Sequence, residues 1–177
     1  MPGPAPSQDD LYQEASAIYG LPLERLAHAY EADPEIRRDL LQEIHLALWR
    51  SFRGFNGLCS LRTWVYRVAH NVASSHMARQ RRMRSRVLVS LEDVDLLPDA
   101  KEGELAVHRR ESLQRLLELI QQLKLPDRQV ILAYLEGMDA AEIAEITGLS
   151  AGNVATKIHR IKRLLARRFE EGRHNGE

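Results

Sequence analysis

Gly152, Asn153, Thr156, Arg160, Arg163 and Arg167 fall on one arc of a helical stretch that begins at Ser150. Those types in that pattern suit contact with duplex DNA. A small residue permits close approach, an amide and guanidinium groups reach base edges, and the remaining cations hold phosphates. The opposite arc carries Val154, Ile158, Ile161 and Leu165, a stripe that must face inward. A short apolar helix with Ile143, Ala144 and Ile146 precedes it. Gly148 supplies the left-handed residue that ends that helix, and Ser150 caps the next. The unit reads as a helix-turn-helix whose second helix enters the major groove from its start, near Gly152 and Asn153. A helical hairpin with a solvated basic face is the competing reading, but such a face more often carries both signs of charge.

A second set of residues suits single-stranded nucleic acid. In "SLRTWVYRVAHNVASSHMARQRR" the spacing buries Leu61, Val65, Val68 and Val72. Thr63, Tyr66, Arg67, His70, Asn71 and Ser74 are left away from that stripe, with Trp64 at its margin. Arg79, Arg81, Arg82, Arg84 and Arg86 crowd the end. Aromatics among cations fit unstacked bases and phosphates, while core packing is the other reading of Trp64 and Tyr66. The preceding helix, "PEIRRDLLQEIHLALWRSF", turns Ile36, Leu40, Ile44 and Ala47 inward, widened by Leu41, Leu48 and Phe52. Leu46 and Trp49 lie on its far side among Asp39, Gln42, Arg50 and Arg53. That is a protein-docking surface, or a side covered by the first helix.

The whole chain must position these groups. Its 177 residues, 44% hydrophobic and 28% charged, make a foldable chain of one ordinary domain or two small ones. Net charge is zero, yet the charge is blocked. Nine arginines and no carboxylate lie between Arg50 and Arg86, and the charges from Ser150 to Phe169 are all positive. Between them, acids dominate from Val87 to Glu111. Two cationic blocks predict two polyanion-binding surfaces. No apolar run approaches membrane-spanning length and the N-terminus lacks a secretory pattern, so a cytoplasmic protein is expected. The lone Cys59 and scattered histidines offer no metal spacing; no cofactor and no metal are expected. The sequence also lacks a Gly-rich phosphate loop and paired carboxylates beside a base, so no catalytic site and no small-molecule substrate are expected.

The pattern is all-α, in two small helical domains joined by a linker. Residues 9–31 read as helix with a break at Gly20-Leu21-Pro22, and Pro34 opens a helix to about Arg53. Residues 54–60 form a loop, and Ser60 caps a helix to about Arg84. Helices then run from about Glu102 to Lys124 and from Pro126 to about Glu136. The domains are 1–84 and 102–177, the second a helix-turn-helix, and 85–101 is the linker. Extended, that linker reaches on the order of 55 Å, so the two modules need not touch.

The stretch from Asp39 to Arg82 resembles conserved region 2 of bacterial sigma factors, and the stretch from Leu123 to Phe169 resembles their region 4. The two regions in this order, with a short linker, are similar to the extracytoplasmic-function (group IV) class. The resemblance implies a factor that binds core RNA polymerase and directs promoter recognition, melting and initiation. Asp39, Leu40, Gln42, Glu43, Leu46, Trp49 and Arg50 would dock on the clamp helices of the polymerase β′ subunit. The loop from Gly54 to Ser60, with Phe55, Asn56 and Ser60, would capture a flipped minus-ten base. Arg62, Thr63, Trp64, Arg67, Asn71, Arg79, Arg81 and Arg82 would follow the melted strand. Ser150, Gly152, Asn153, Thr156, Lys157, Arg160 and Arg163 would read the minus-thirty-five element in duplex form. The β flap and an anti-sigma protein are the further partners the family implies, and Glu92, Asp93 and Asp95 of the linker would enter the polymerase. Ala155 and Asn153 stand where lysine and threonine are common in the family, which leaves the preferred upstream sequence open. The alternative reading is a stand-alone helix-turn-helix regulator acting without polymerase.

Overall fold

Most helix ends in this chain are written locally. A computed structural model describes residues 6–86 and 104–174. Ser7 starts α1 (Gln8–Tyr30) with a capping box: its hydroxyl accepts from the Asp10 amide at 3.1 Å, and the Asp10 carboxylate accepts from the Ser7 amide at 2.9 Å. Asp33 caps α2 (Pro34–Ser51), where Pro34 spends its missing N–H on a position without an intrahelical partner. A 3-10 turn (Phe52–Gly54) leads to the loop, and the Ser60 hydroxyl accepts from the Thr63 amide at the start of α3 (Leu61–Arg86). Then come α4 (Glu104–Gln121), α5 (Leu125–Leu135), α6 (Ala140–Thr147) and α7 (Ala151–His174). Among the described residues there is no strand, and no helix is long and apolar enough to cross a membrane. The linker residues Glu92, Asp93 and Asp95 lie outside the described residues.

The expected break at Gly20-Leu21-Pro22 does not occur, and α1 runs through Pro22. Proline there costs one hydrogen bond, to the carbonyl of Ile18. Ile18 and Leu21 are exposed, so water can serve that carbonyl, while the buried Ala15 before the proline and Leu23, Leu26 and Ala27 after it hold the helix in place.

The N-terminal lobe packs α1, α2 and α3 around Leu23, Leu26, Leu40, Ile44, Leu48 and Val65. Here the reading of α3 needs correction. Its most buried side is Val65, Tyr66, Ala69, His70, Ala73 and His76, whereas Leu61, Val68 and Val72 are only half-buried. α1, α2 and the C-terminal lobe all pack on α3, so the hydrophobic stripe alone did not mark the buried face. Thr63 is likewise buried, its hydroxyl 2.9 Å from that of Ser60, which makes it part of the helix start. Trp64 is half-buried and donates its indole N–H to Ser51 Oγ at 2.9 Å.

The C-terminal lobe packs α5 and α6 against α7 through Val130, Ile131, Ile143, Val154, Ile161 and Leu165, with α4 adding Ile120. The two lobes touch. Gln121 donates to the His28 carbonyl at 2.8 Å, Gln129 donates to Ser74 Oγ at 3.1 Å, and Arg25 holds Glu136 through two bonds of 2.9 and 2.8 Å. Arg128, on α5, is buried in this seam. It donates to the carbonyls of Gln121 and Leu123, lies 3.2 Å from Met77 Sδ, and stacks 5.4 Å from the centre of the Tyr30 ring. Tyr30 continues the chain inward, its hydroxyl 2.9 Å from His70 Nδ1. Burial pushes His70 down to about 4 and raises the Tyr30 hydroxyl well above the usual phenol range.

Candidate nucleic-acid interface

Asp139 begins α6 with a capping box to Glu142, and Gly148 ends it at φ +73°, a conformation that costs glycine little and other residues more. The chain turns, the Asn153 amide reaches Ser150 Oγ at 3.3 Å, and α7 starts at a fixed angle. Val154, Ile161 and Leu165 are buried, which rolls the opposite side outward. Gly152, Asn153, Thr156, Arg160, Arg163 and Arg167 are all exposed there, as the spacing predicts. Ser150 is exposed at the turn. Thr156 back-bonds to the Gly152 carbonyl at 3.0 Å, so its hydroxyl is held close to the helix surface. Lys157 stands differently. It is half-buried, with Nζ 2.7 Å from Asp127 Oδ1, and Arg160 Nη2 lies 2.8 Å from Asp127 Oδ2. Asp127 sits in the first turn of α5, thirty residues away in the chain, and the run of α7 cations gave no sign of it.

On the N-terminal lobe the loop is shaped by Gly57 at φ +73° and by Asn56, whose side-chain oxygen accepts from the Leu58 amide at 3.2 Å. Asn56 and Ser60 are exposed. Phe55 is half-buried, packed edge-on against Trp64 with ring centres 5.4 Å apart. Phe55 and Trp64 therefore support the loop from beneath. Leu58 stands 88% exposed at its tip, an apolar side chain that spacing did not single out because a loop has no period to violate. Asn71 and Arg79 are exposed on the side of α3 that borders α2, Arg82 is exposed beyond them, Arg81 is exposed beside the seam with Tyr30, Gln121 and Arg128, and Arg67 is half-buried. Arg79 pairs with Glu43 of α2. Arg62 is turned toward the C-terminal lobe, where it donates to the Glu136 carbonyl and lies 3.9 Å from a Glu142 carboxylate oxygen.

The docking set on α2 splits in the same way. Asp39, Gln42, Glu43, Leu46 and Arg50 are exposed. Leu46, Glu43, Ala47 and Arg50 border a shallow groove shared with Asn71, Val72 and Arg79 of α3. Leu40 is a correction: it is fully buried at the centre of the lobe, so it positions α2 and cannot touch a partner. Trp49 is half-covered. Its indole donates to Asp9 at 2.8 Å, Gln8 donates to its carbonyl at 2.6 Å, and Arg53 stacks 5.7 Å from its ring. The first helix does cover part of that side, and Leu46 remains open. Cys59 is half-buried and free, and among the described residues no cluster of His, Cys, Asp and Glu is arranged to hold a metal ion.

Comparison with known proteins matches this geometry in both lobes. The model of Sigma-70 region 2 matches residues 17–83, and that of Sigma-70, region 4 matches residues 113–165. The ECF RNA polymerase sigma factor SigX of Bacillus subtilis is 30% identical over 146 residues, 78% of this chain and 73% of that protein. Among solved structures, the sigma factor RpoE of Bartonella quintana, in complex with the anti-sigma factor NepR, superposes with a TM-score of 0.69 at 23% identity over 89% of this chain and 94% of that one. CnrH, in complex with the cytosolic domain of CnrY, superposes with a TM-score of 0.63 at 20% identity over 90% and 88%.

Proposed function

Because this chain belongs to the extracytoplasmic-function family of RNA polymerase sigma factors, we propose that its two lobes divide promoter recognition between an opened strand and intact duplex. The exposed arc of α7 carries the reading. Asn153, Thr156, Arg160 and Arg163 stand free of the core on a helix fixed by its own turn, and Lys157 lies beside them. They read the upstream duplex element through base edges and phosphates. The loop tip with Asn56 and Leu58, and the exposed residues Asn71, Arg79, Arg81 and Arg82 of α3, take the melted strand. Flipping a base costs a few kcal/mol of stacking, and the loop with its Phe55–Trp64 support gives the extruded base a firm surface. The exposed side of α2 docks on the β′ clamp helices, and region 4 lies at the β flap. Bond-making stays with the polymerase. The regulator reading, which lets the protein act alone, gives no purpose to an exposed Leu46 or to the loop.

An inhibitor fits the same surfaces. RpoE and CnrH are each found with a partner, NepR and the CnrY cytosolic domain. For this chain an anti-sigma protein would act by covering the α2 side and the α7 arc together.

The test is reconstitution with core polymerase lacking its own specificity subunit, followed by mapping of transcript starts. Expected results are a stable complex and starts that share two spaced elements. Leu46→Ala should weaken that complex by about 1–2 kcal/mol, roughly 5- to 30-fold, with an unchanged melting curve because the side chain is exposed. No association of the wild-type chain with core enzyme, measured without inhibitor, removes the reading.

A further inference from the structure

One carboxylate lies inside the cationic face of α7. Asp127 divides its two oxygens between Lys157 at 2.7 Å and Arg160 at 2.8 Å, side chains one helical turn apart. Its own position is favourable, since an acid in the first turn of α5 faces the positive end of that helix. The Asp127 and Lys157 side chains keep only 17% and 20% of their exposure, whereas Arg160 keeps 64% and projects from the pair with the rest of its fork open.

We propose that Asp127 is the positioning residue for specificity in the upstream contact, acting through Arg160 and Lys157. This rests on the reading of α7 as the duplex-facing helix. Two physical effects follow from the geometry. First, a guanidinium held by a carboxylate on one nitrogen keeps its plane and direction, so its remaining donors meet the paired acceptors of a guanine edge in one orientation. A free arginine side chain samples many rotamers and serves any nearby phosphate equally well. Second, the carboxylate cancels one of the two positive charges and repels the DNA backbone. Attraction to DNA of any sequence is set by neutralised phosphates, so the acid lowers non-specific affinity while leaving the oriented contact intact. Partly exposed ion pairs add little to folding stability, which fits a role in recognition better than one in holding the fold.

The experiment uses the full chain assembled with core polymerase and a library of duplexes randomised through the upstream element. The wild-type holoenzyme should enrich a defined upstream sequence. Asp127→Asn should reduce discrimination at the position facing Arg160 by about tenfold. It should also raise affinity for unrelated duplex several-fold and steepen the dependence of log affinity on log salt by about one unit. Asp127→Glu, which restores the charge, should recover most of the discrimination. A partly unfolded lobe would lose affinity for all DNA together, so a fall in non-specific affinity with Asp127→Asn overturns the proposal. Discrimination kept at the wild-type level also overturns it, while leaving the reading of α7 intact. A wild-type holoenzyme that enriches no upstream sequence overturns that reading, and this proposal with it.

Discussion

Arg128→Ala should lower the free energy of unfolding by about 3 kcal/mol, read from urea midpoints or as a melting temperature several degrees lower. The side chain is 3% exposed and serves two carbonyls at the end of α4, those of Gln121 and Leu123. Removing it leaves both acceptors facing a cavity, at roughly 1–3 kcal/mol for each group that water cannot reach. It also removes the cation from the Tyr30 ring and the contact to Met77, so the seam between lobes loses its central packing. Arg128→Lys should recover little. An ammonium is a point donor, and it cannot reach two carbonyls while lying flat on an aromatic face. Small-angle scattering on the same variant should show the lobes further apart.

Acid should weaken the fold through His70. The imidazole is 1% exposed, and burial pushes it down to about 4 from an ordinary value of 6.5. Below pH 6.5 the unfolded chain takes up a proton that the folded chain refuses, so stability falls as pH drops from about 6.5 toward 4 and levels off beneath that. A gap of about 2.5 pKa units corresponds to roughly 3 kcal/mol lost across this window. His28 and His45 are also lowered by burial and add smaller contributions of the same sign. In His70→Gln, whose side chain can still meet the Tyr30 hydroxyl, urea midpoints measured from pH 7 to 4 should follow a much flatter profile. An equally steep profile in that variant would assign the acid loss to other groups.

What the sequence made legible was what is decided over a few residues. Gly148, Ser150, Ser60 and Pro34 mark helix ends because capping and positive φ depend on the residue itself and its near neighbours. The exposed arc of α7 was equally plain, since α4, α5 and α6 all pack along one side of that helix and leave the opposite arc open. The buried side of α3 was not plain. Three neighbours pack on that helix, and Tyr66, His70 and His76 go inside because each brings or finds a polar contact rather than because the stripe is apolar. The cationic blocks misled in another way. They are free of acids along the chain, but folding brings Glu43 to Arg79, Glu142 toward Arg62 and Asp127 to Lys157 and Arg160. A charge count along a segment cannot see a carboxylate delivered from another helix. Nor could the linker's reach show that the lobes meet, because length sets what is permitted and the surfaces decide what is occupied.

Arg62 has one guanidinium and two claimants. With Nη2 on the Glu136 carbonyl and Nη1 beside Glu142, part of its donor fork is engaged away from any phosphate. A strand that required Arg62, as proposed, would have to displace that contact, and its observed affinity would be lower by what the contact is worth, about tenfold for every 1.4 kcal/mol. Linkage makes the relation mutual: a strand that captured Arg62 would weaken the seam by that contact's share, with the Gln121–His28, Gln129–Ser74 and Arg25–Glu136 bonds left in place.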